Sequence, residues 1–315
     1  MPISIFSGKT LRTVEFKALD FEPLGTKEKQ WISFLENPQE KYLLKMSRQN
    51  TGEHWSEFIA YKLGELLGIP CAKYEILPCE TEVGQTRMAV VSENLVQVGF
   101  SMIMGNEFLH KKFPDVYPMP EQTTRIRLSK HTLLRIKEAL SDVQIKSDWA
   151  FPRTFKAFDV FCGYLLLDAL ISNQDRHHEN WAVLYEESSQ RYFLCESYDH
   201  AASLGRELTD EKRKTLLTSK DVGQQLKTFV KRARSEVFEN DTDIKPLLTL
   251  DALSLALSYQ PVDTRDFWIQ KLSILTEDKI QDILNTIEPE VMNNLAKEFT
   301  LKMIIENKNR ILYVK

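Results

Sequence analysis

The most informative segment of the chain is Asn173-Gln174-Asp175-Arg176-His177-His178-Glu179-Asn180. It follows an apolar run, residues 160–171, which contains a single charged residue, Asp168, and predicts a buried helix. Two short apolar runs, 182–185 and 192–195, come after it and are joined by a polar turn, a pattern that predicts a β-hairpin. Polar side chains are therefore expected to emerge between a helix and a hairpin, beside an apolar core.

Three residues of this region have the spacing of a magnesium-dependent phosphotransferase. Asp175 is followed five residues later by Asn180, as in the catalytic loop of kinases, where the Asp accepts the proton of the acceptor hydroxyl and the Asn holds Mg²⁺. The hairpin is expected to return the chain so that Asp199 lies close to Asn180. Because Mg²⁺ takes oxygen ligands, including one or two carboxylates, we predict Asp175 as the base and Asn180 and Asp199 as metal ligands.

Two other interpretations of these polar residues remain open at this point. Asp175 and Asn180 could be ordinary cap and turn residues, because both types bond readily to local backbone. His177, close to other His and Cys residues, could belong to a zinc site, but the spacing of these residues matches no recognised ligand pattern. We expect His177 to brace the catalytic loop instead.

The upstream sequence supplies candidates for binding a nucleotide. Lys45 lies at the end of a predicted strand, 41–46, like the phosphate-pairing lysine of a kinase. Glu57, on the next predicted helix, is its expected partner. A turn containing Gly25, Thr26 and Lys27 could cover phosphates through its backbone amides, although an ordinary charged turn explains the same residues.

The pattern along the chain predicts an α+β fold of two lobes. Short extended runs separated by turns predict an antiparallel sheet in residues 1–95, with one helix that starts near residue 51 and stops at Gly68. This lobe is predicted to bind the nucleotide. Residues 96–315 are predicted to form a larger, mostly α-helical catalytic lobe. One of its predicted helices covers residues 216–237. The pattern of apolar and polar residues is weak over 99–120.

Composition limits the classes of partner. The 315 residues carry a formal net charge of −4, so general electrostatic binding to nucleic acid is not expected. The longest apolar run is shorter than a membrane span, which needs roughly 20 residues, and the start has no secretory pattern. We therefore expect a cytoplasmic protein without membrane contact, whose four cysteines are reduced.

These motifs together resemble the HipA-like bacterial serine/threonine kinases, a branch of the kinase-like fold that is also similar to phosphatidylinositol kinases. The resemblance is carried by the segments 25–27, 55–57, 68–70, 175–180 and 199–205, of which the last two are the diagnostic ones. The resemblance implies the same roles for Asp175, Asn180, Asp199 and Lys45, and it implies an adenine-side hinge at Ser92, Glu93 and Leu95. The chain lacks the Gly-x-Gly-x-x-Gly, Asp-Phe-Gly and Ala-Pro-Glu motifs of ordinary protein kinases, so control by an activation loop is not implied.

The leading hypothesis is an ATP- and Mg²⁺-dependent kinase that phosphorylates a Ser or Thr hydroxyl of a protein. One alternative acceptor is a small molecule, a lipid or a nucleic acid. Another alternative is a nucleotide-binding pseudokinase that acts as an interaction module. The resemblance also allows an antitoxin or regulatory protein partner, and the position of Thr26 suggests autophosphorylation there, which intact-mass analysis after incubation with ATP would test.

Overall fold

The computed structural model describes residues 2–7, 10–21, 28–80, 86–120 and 127–313, and the side chains of 28–79, 86–120 and 127–313. Gly25, Thr26 and Lys27, the predicted phosphate-covering turn, lie outside the described residues. The proposal for this turn, including phosphorylation of Thr26, therefore stays a prediction.

The N-terminal part is a six-stranded antiparallel sheet with one helix, as predicted. The strands are β1 (Pro2–Ser7), β2 (Thr10–Phe21), β3 (Lys29–Phe34), β4 (Asn37–Met46), β5 (Tyr74–Glu80) and β6 (Thr86–Glu93), in the order β1-β2-β3-β4-β6-β5. Helix α1 (Glu53–Leu67) buries an apolar face that includes Ile59 and Leu63. It ends at Gly68, whose φ of 71° is left-handed and favours glycine.

The C-terminal part is mostly helical, as predicted, and also contains a second sheet. Strands β7 (Phe100–Met104), β8 (Ala182–Glu186) and β9 (Arg191–Leu194) form this sheet, and β8 and β9 are the predicted hairpin. The helices are α2 (Gly105–Lys112), α3 (Leu133–Ala139), α4 (Ala157–Ile171), α5 (Asp210–Thr218), α6 (Leu226–Phe229), α7 (Thr249–Ser258), α8 (Val262–Ser273), α9 (Glu277–Asn285) and α10 (Asn294–Leu312). The predicted α+β architecture is therefore confirmed, whereas the lobe boundary at residue 95 stays a prediction.

Helix α4 is the centre of the helical part and leads directly into the polar segment. All 15 of its residues are buried, which explains why it has apolar residues on every side. It ends at Ser172, and Asn307 of α10 donates to both the Ser172 Oγ (2.8 Å) and the Leu170 carbonyl (3.0 Å). The end of α4, and hence the start of the polar segment, is thus fixed by α10.

Within the described parts of the chain, no helix is long and apolar enough to cross a membrane.

The single helix predicted over 216–237 is wrong. The chain leaves α5 after Thr218, forms a turn, and continues as the four-residue helix α6. The reason is local hydrogen bonding, because the Asp221 side chain accepts from the backbone N–H of Gly223 at 2.9 Å. Asp competes in this way with helical hydrogen bonds, and Gly disfavours a helix interior.

Gly163, in the middle of α4, is expected to resist replacement by alanine. An added Cβ would lie 2.4 Å from ring atoms of Trp268, and that indole is fixed because its Nε1 donates to the Asp159 carbonyl at 2.8 Å. Gly163→Ala is therefore expected to lower the free energy of unfolding by about 1–3 kcal/mol through overpacking. Urea unfolding measures the change in the free energy of unfolding. Gly→Ala in an open helix normally raises this free energy by about 0.5–1 kcal/mol, and such a rise here would contradict the prediction.

Candidate active site

Lys45 stands at the centre of a buried polar cluster between the sheet, α1 and the segment after the hairpin. Strand β4 carries Lys45, and α1 carries Glu57, whose Oε1 lies 3.5 Å from the Lys45 Nζ. The Asp199 Oδ1 lies 3.8 Å from the same Nζ, and the Tyr74 hydroxyl lies 3.5 Å from it. The predicted pairing of Lys45 with Glu57 is thus present, and Asp199 joins the pair.

The charges of this cluster hold Lys45 in its protonated form. Burial disfavours the ammonium, but the carboxylates of Asp199 and Glu57 outweigh this, so the pKa of Lys45 lies well above its usual value. Burial, reinforced by the nearby Glu57, raises the pKa of Tyr74, so its hydroxyl keeps its proton. A lysine that favours its charged form thus lies beside Asp199, the carboxylate predicted to bind a metal.

A buried ion pair fixes the polar segment after α4. Arg176 donates from Nε to the Asp168 Oδ2 at 2.7 Å and from Nη2 to Oδ1 at 2.8 Å, and both side chains are almost completely buried. Its Nη1 also donates to the Asn180 carbonyl at 2.5 Å. Asn173 donates to Asp168 at 2.8 Å. The two ends of the segment are therefore tied to one carboxylate of α4.

Asp175 and Asn180 lie on this fixed segment with their functional atoms in different environments. The Asn180 Nδ2 donates to the Asp175 carbonyl at 2.6 Å, which leaves the amide oxygen of Asn180 as an acceptor. The Asp175 side chain is 45% exposed, and its Oδ1 lies 3.7 Å from the His177 Nε2. Asp175 is thus held by its backbone while its carboxylate faces solvent.

His177 is positioned to orient Asp175 as a neutral ring. Its Nδ1 accepts from the Glu179 N–H at 3.1 Å, so in the neutral ring the hydrogen is on Nε2, the atom that faces Asp175. Burial lowers the pKa of His177 to about 4. The ring is therefore uncharged near neutral pH and supplies a donor rather than a competing base, and its bracing role stays a prediction.

Asp199 and Asn180 lie on neighbouring segments. The Tyr198 hydroxyl donates to the Glu179 carbonyl at 2.8 Å, which connects the residues that precede the two predicted ligands. The backbone of Asp199 is left-handed, with a φ of 57°, and its N–H donates to the Tyr74 hydroxyl at 3.2 Å. One carboxylate and one amide oxygen are ligand types that suit Mg²⁺ together with phosphate and water, so the residues present fit the predicted ion.

The predicted hinge residues are placed at the end of β6 and just beyond it. Ser92 is buried and pairs with Leu43 of β4, two positions from Lys45. Glu93 is exposed and lies 3.7 Å from the Lys73 Nζ. Leu95 packs against the second sheet. These three residues thus line the connection from the first sheet to the second, and their contact with adenine stays a prediction.

Several residues of the site were missed by sequence reasoning. Tyr74 gave no signal, because a tyrosine in a strand is ordinary. Asp168 could have been found, since a charged residue within a long apolar run requires a buried partner. Lys29 lies opposite Lys45 in the strand register. Its positive charge partly offsets the rise that burial causes in the pKa of Glu179.

The zinc interpretation finds no support in the described part of the chain. No group of three His, Cys, Asp or Glu side chains there could hold a metal ion. The His178 Nδ1 instead lies 2.5 Å from the Tyr117 hydroxyl, and the His200 Nε2 lies 2.7 Å from the Ser197 Oγ. Burial raises the pKa of the Cys195 thiol well above its usual value.

The sheet with its single helix, the helical part, and the polar cluster between them define the protein-kinase-like two-lobed class of protein. Comparison with solved structures agrees. The crystal structure of the Helicobacter pylori proinflammatory kinase CtkA matches with a TM-score of 0.67 and 18% identity, over 94% of each chain. Shewanella oneidensis HipA, solved with HipB and its operator DNA, matches with a TM-score of 0.51 and 11% identity, over 95% of this chain and 66% of that one.

In sequence, the chain is similar to the serine/threonine-protein kinase CtkA of Helicobacter pylori. The two are 23% identical over an alignment of 193 residues, which covers 59% of this chain and 56% of that protein. No family model matches the chain. The resemblance to HipA-like kinases noted from the sequence is thus confirmed, and the chain has their fold.

Proposed function

We propose that this protein is an ATP- and Mg²⁺-dependent kinase that transfers a phosphoryl group to a Ser or Thr hydroxyl of a protein. The observation that carries the proposal is the buried Lys45, with its Nζ 3.5 Å from Glu57 and 3.8 Å from Asp199. Protein kinases place their phosphate-binding lysine in such an arrangement, with a Glu partner and a metal-binding Asp nearby. The similarity to CtkA, named a serine/threonine-protein kinase, supports the same class of reaction.

Each residue of the site has a role in this mechanism. Lys45, oriented by Glu57, binds phosphate oxygens of the nucleotide, and the connection from Ser92 to Leu95 contacts the adenine. Asn180 and Asp199 would hold Mg²⁺, which neutralises charge on the phosphates when it is bound. Asp175 accepts the proton of the acceptor hydroxyl.

A protein acceptor is favoured by the exposure of Asp175. Its side chain is 45% exposed, so a hydroxyl on a macromolecular surface can reach the carboxylate. The neutral His177 beside it orients the carboxylate without taking up the transferred proton. A small-molecule, lipid or nucleic-acid acceptor uses the same residues, so labelling experiments decide between them.

A regulatory protein partner belongs to the proposal through the HipA relative, which was solved in complex with HipB and operator DNA. We propose that a partner of this kind binds the present chain without direct contact between the chain and DNA. Co-purification of the tagged chain from its own host, followed by mass spectrometry, tests this.

The test is transfer of label from γ-labelled ATP to proteins of a cell lysate, by wild type and by Asp199→Asn. Asp199→Asn keeps the size of the side chain and removes its charge, so the metal-dependent reaction is expected to fall at least about 10-fold. Label on protein that requires Mg²⁺ and disappears in EDTA supports the proposal. Nucleotide binding with no transfer to any acceptor contradicts it and favours the pseudokinase alternative.

A further inference from the structure

His200, which follows the proposed metal ligand Asp199, is completely buried and connects two parts of the site. Its Nε2 lies 2.7 Å from the Ser197 Oγ, and that oxygen also accepts from the Arg176 Nη2 at 2.9 Å. Within the described residues, His200 Nε2 is the one acceptor in reach of the Ser197 hydroxyl. The hydroxyl therefore donates to Nε2, and the hydrogen of the neutral ring is on Nδ1.

The other side of the His200 ring faces Glu57. The Nδ1 has no hydrogen-bond partner among the residues that the structure describes, and it lies 3.9 Å from the Glu57 Oε2. That same oxygen accepts from the backbone N–H of His200 at 2.7 Å. A shortening of about 1 Å would bring Nδ1 to the usual hydrogen-bond distance of about 2.9 Å.

A buried donor without an acceptor costs free energy, and natural proteins contain few of them. Here the missing acceptor lies just beyond reach, on the residue that orients Lys45. The contacts form a continuous line whose members, in order, are Asp168, Arg176, Ser197, His200, Glu57 and Lys45. The line begins at Asp168 of α4, passes through Arg176 of the catalytic loop and ends at the nucleotide lysine.

We infer that His200 is a positioning residue: its Nδ1–H group donates to Glu57 when nucleotide closes the cleft, and so couples the Lys45–Glu57 pair to the catalytic loop. This inference rests on the proposed function. Closure over a nucleotide completes the site in many phosphotransferases. The gap at Nδ1 is therefore the distance that closure removes, and the bond forms only in the closed state.

Two substitutions separate the two ring nitrogens. The amide nitrogen of His200→Asn can take the place of Nδ1 and donate to Glu57, whereas the amide of His200→Gln reaches the position of Nε2 and leaves Glu57 without this donor. His200→Gln is expected to lower kcat about 10²-fold, the effect of a small misplacement of reacting groups, with KM for ATP little changed. His200→Asn is expected to keep most of the kcat. Equal kcat losses in the two variants would overturn the inference.

A double-mutant cycle tests whether His200 acts through Glu57. If it does, His200→Gln should lower kcat no further in a Glu57→Gln background, because the two residues work as one unit. Independent losses that multiply would overturn the inference. His54 is also a buried histidine and lies on α1, the helix that carries Glu57. His54→Gln is therefore the matched control for disturbing α1 and is expected to leave kcat unchanged.

A measurement on the wild-type protein does not depend on the folding of any variant. With ¹⁵N-labelled histidine, the Nδ1–H proton resonance of His200 is expected to move downfield when a non-hydrolysable ATP analogue and Mg²⁺ are added. An unchanged resonance despite binding would overturn the inference. If the wild-type protein transfers no phosphate at all, the proposed function fails. If the wild-type protein is active and His200→Gln has the same kcat, only the inference about His200 fails.

Discussion

Asp175→Asn is expected to lower the rate of phosphoryl transfer by about 10²- to 10⁴-fold, the usual contribution of a positioned general base. The substitution keeps the shape of the side chain but removes its ability to accept the hydroxyl proton. Binding of ATP is expected to change little, because the Lys45 Nζ contacts Glu57 and Asp199 rather than Asp175. Single-turnover transfer of labelled phosphate, together with nucleotide affinity by calorimetry, measures both quantities.

The fold should not be affected by this change. The Asp175 side chain is 45% exposed, and the contacts that fix the segment come from its backbone and from Arg176. Asp148→Asn, at an exposed carboxylate of the same lobe, is the control and is expected to keep full activity. A variant at Asp175 that transfers phosphate at the wild-type rate would rule out this residue as the base.

Arg176→Met is expected to destabilise the protein by about 3–5 kcal/mol, because it leaves the buried charge of Asp168 without its partner. The Arg176 and Asp168 side chains are 0% and 1% exposed, so water cannot replace the lost contacts. The variant also loses the hydrogen bonds of Arg176 to the Asn180 carbonyl and to Ser197, so transfer activity should fall with stability. Urea unfolding measures the change.

Two controls distinguish the cost of leaving a buried charge unpaired from the cost of losing any ion pair. Lys302→Met breaks an ion pair on α10 whose side chains are about half exposed, and such surface pairs contribute only about 0–1 kcal/mol. The double variant Asp168→Leu with Arg176→Met removes both charges and is expected to be more stable than Arg176→Met alone. If Arg176→Met cost no more than Lys302→Met, the pair would not be what fixes the loop.

The elements around the site were predictable where local signals were strong. Helix α4 was marked by an unbroken apolar run, the hairpin by two apolar runs around a polar turn, and the end of α1 by Gly68. The prediction failed where the signals were weak or competed. Strand β7 is a short strand without alternation of apolar and polar residues, and its partner β8 lies about eighty residues further along the chain.

The roles of the site residues were predicted through their order along the chain, which no single residue reveals. Lys45, Glu57 and Asp199 are ordinary surface types in isolation. The hydrogen bonds that tie the site together join residues that are far apart in sequence, such as the Asp199 N–H to Tyr74 and the His200 N–H to Glu57. These contacts carry no periodicity and no motif, so sequence alone could not have given them.

The sequence by itself determined the two-lobed α+β class, the polar segment between α4 and the hairpin, and the residue types that suit phosphoryl transfer. It could do so because apolar periodicity and turn chemistry act over a few neighbouring residues. Only the tertiary structure decided which of these groups meet. Lys45, Glu57 and Asp199 meet in one buried cluster. In the same interior the His200 Nδ1 lies 3.9 Å from the Glu57 Oε2. The physical reason is that electrostatic and hydrogen-bonding contacts depend on distance in space and on exclusion of water, and both are set only when the lobes pack together.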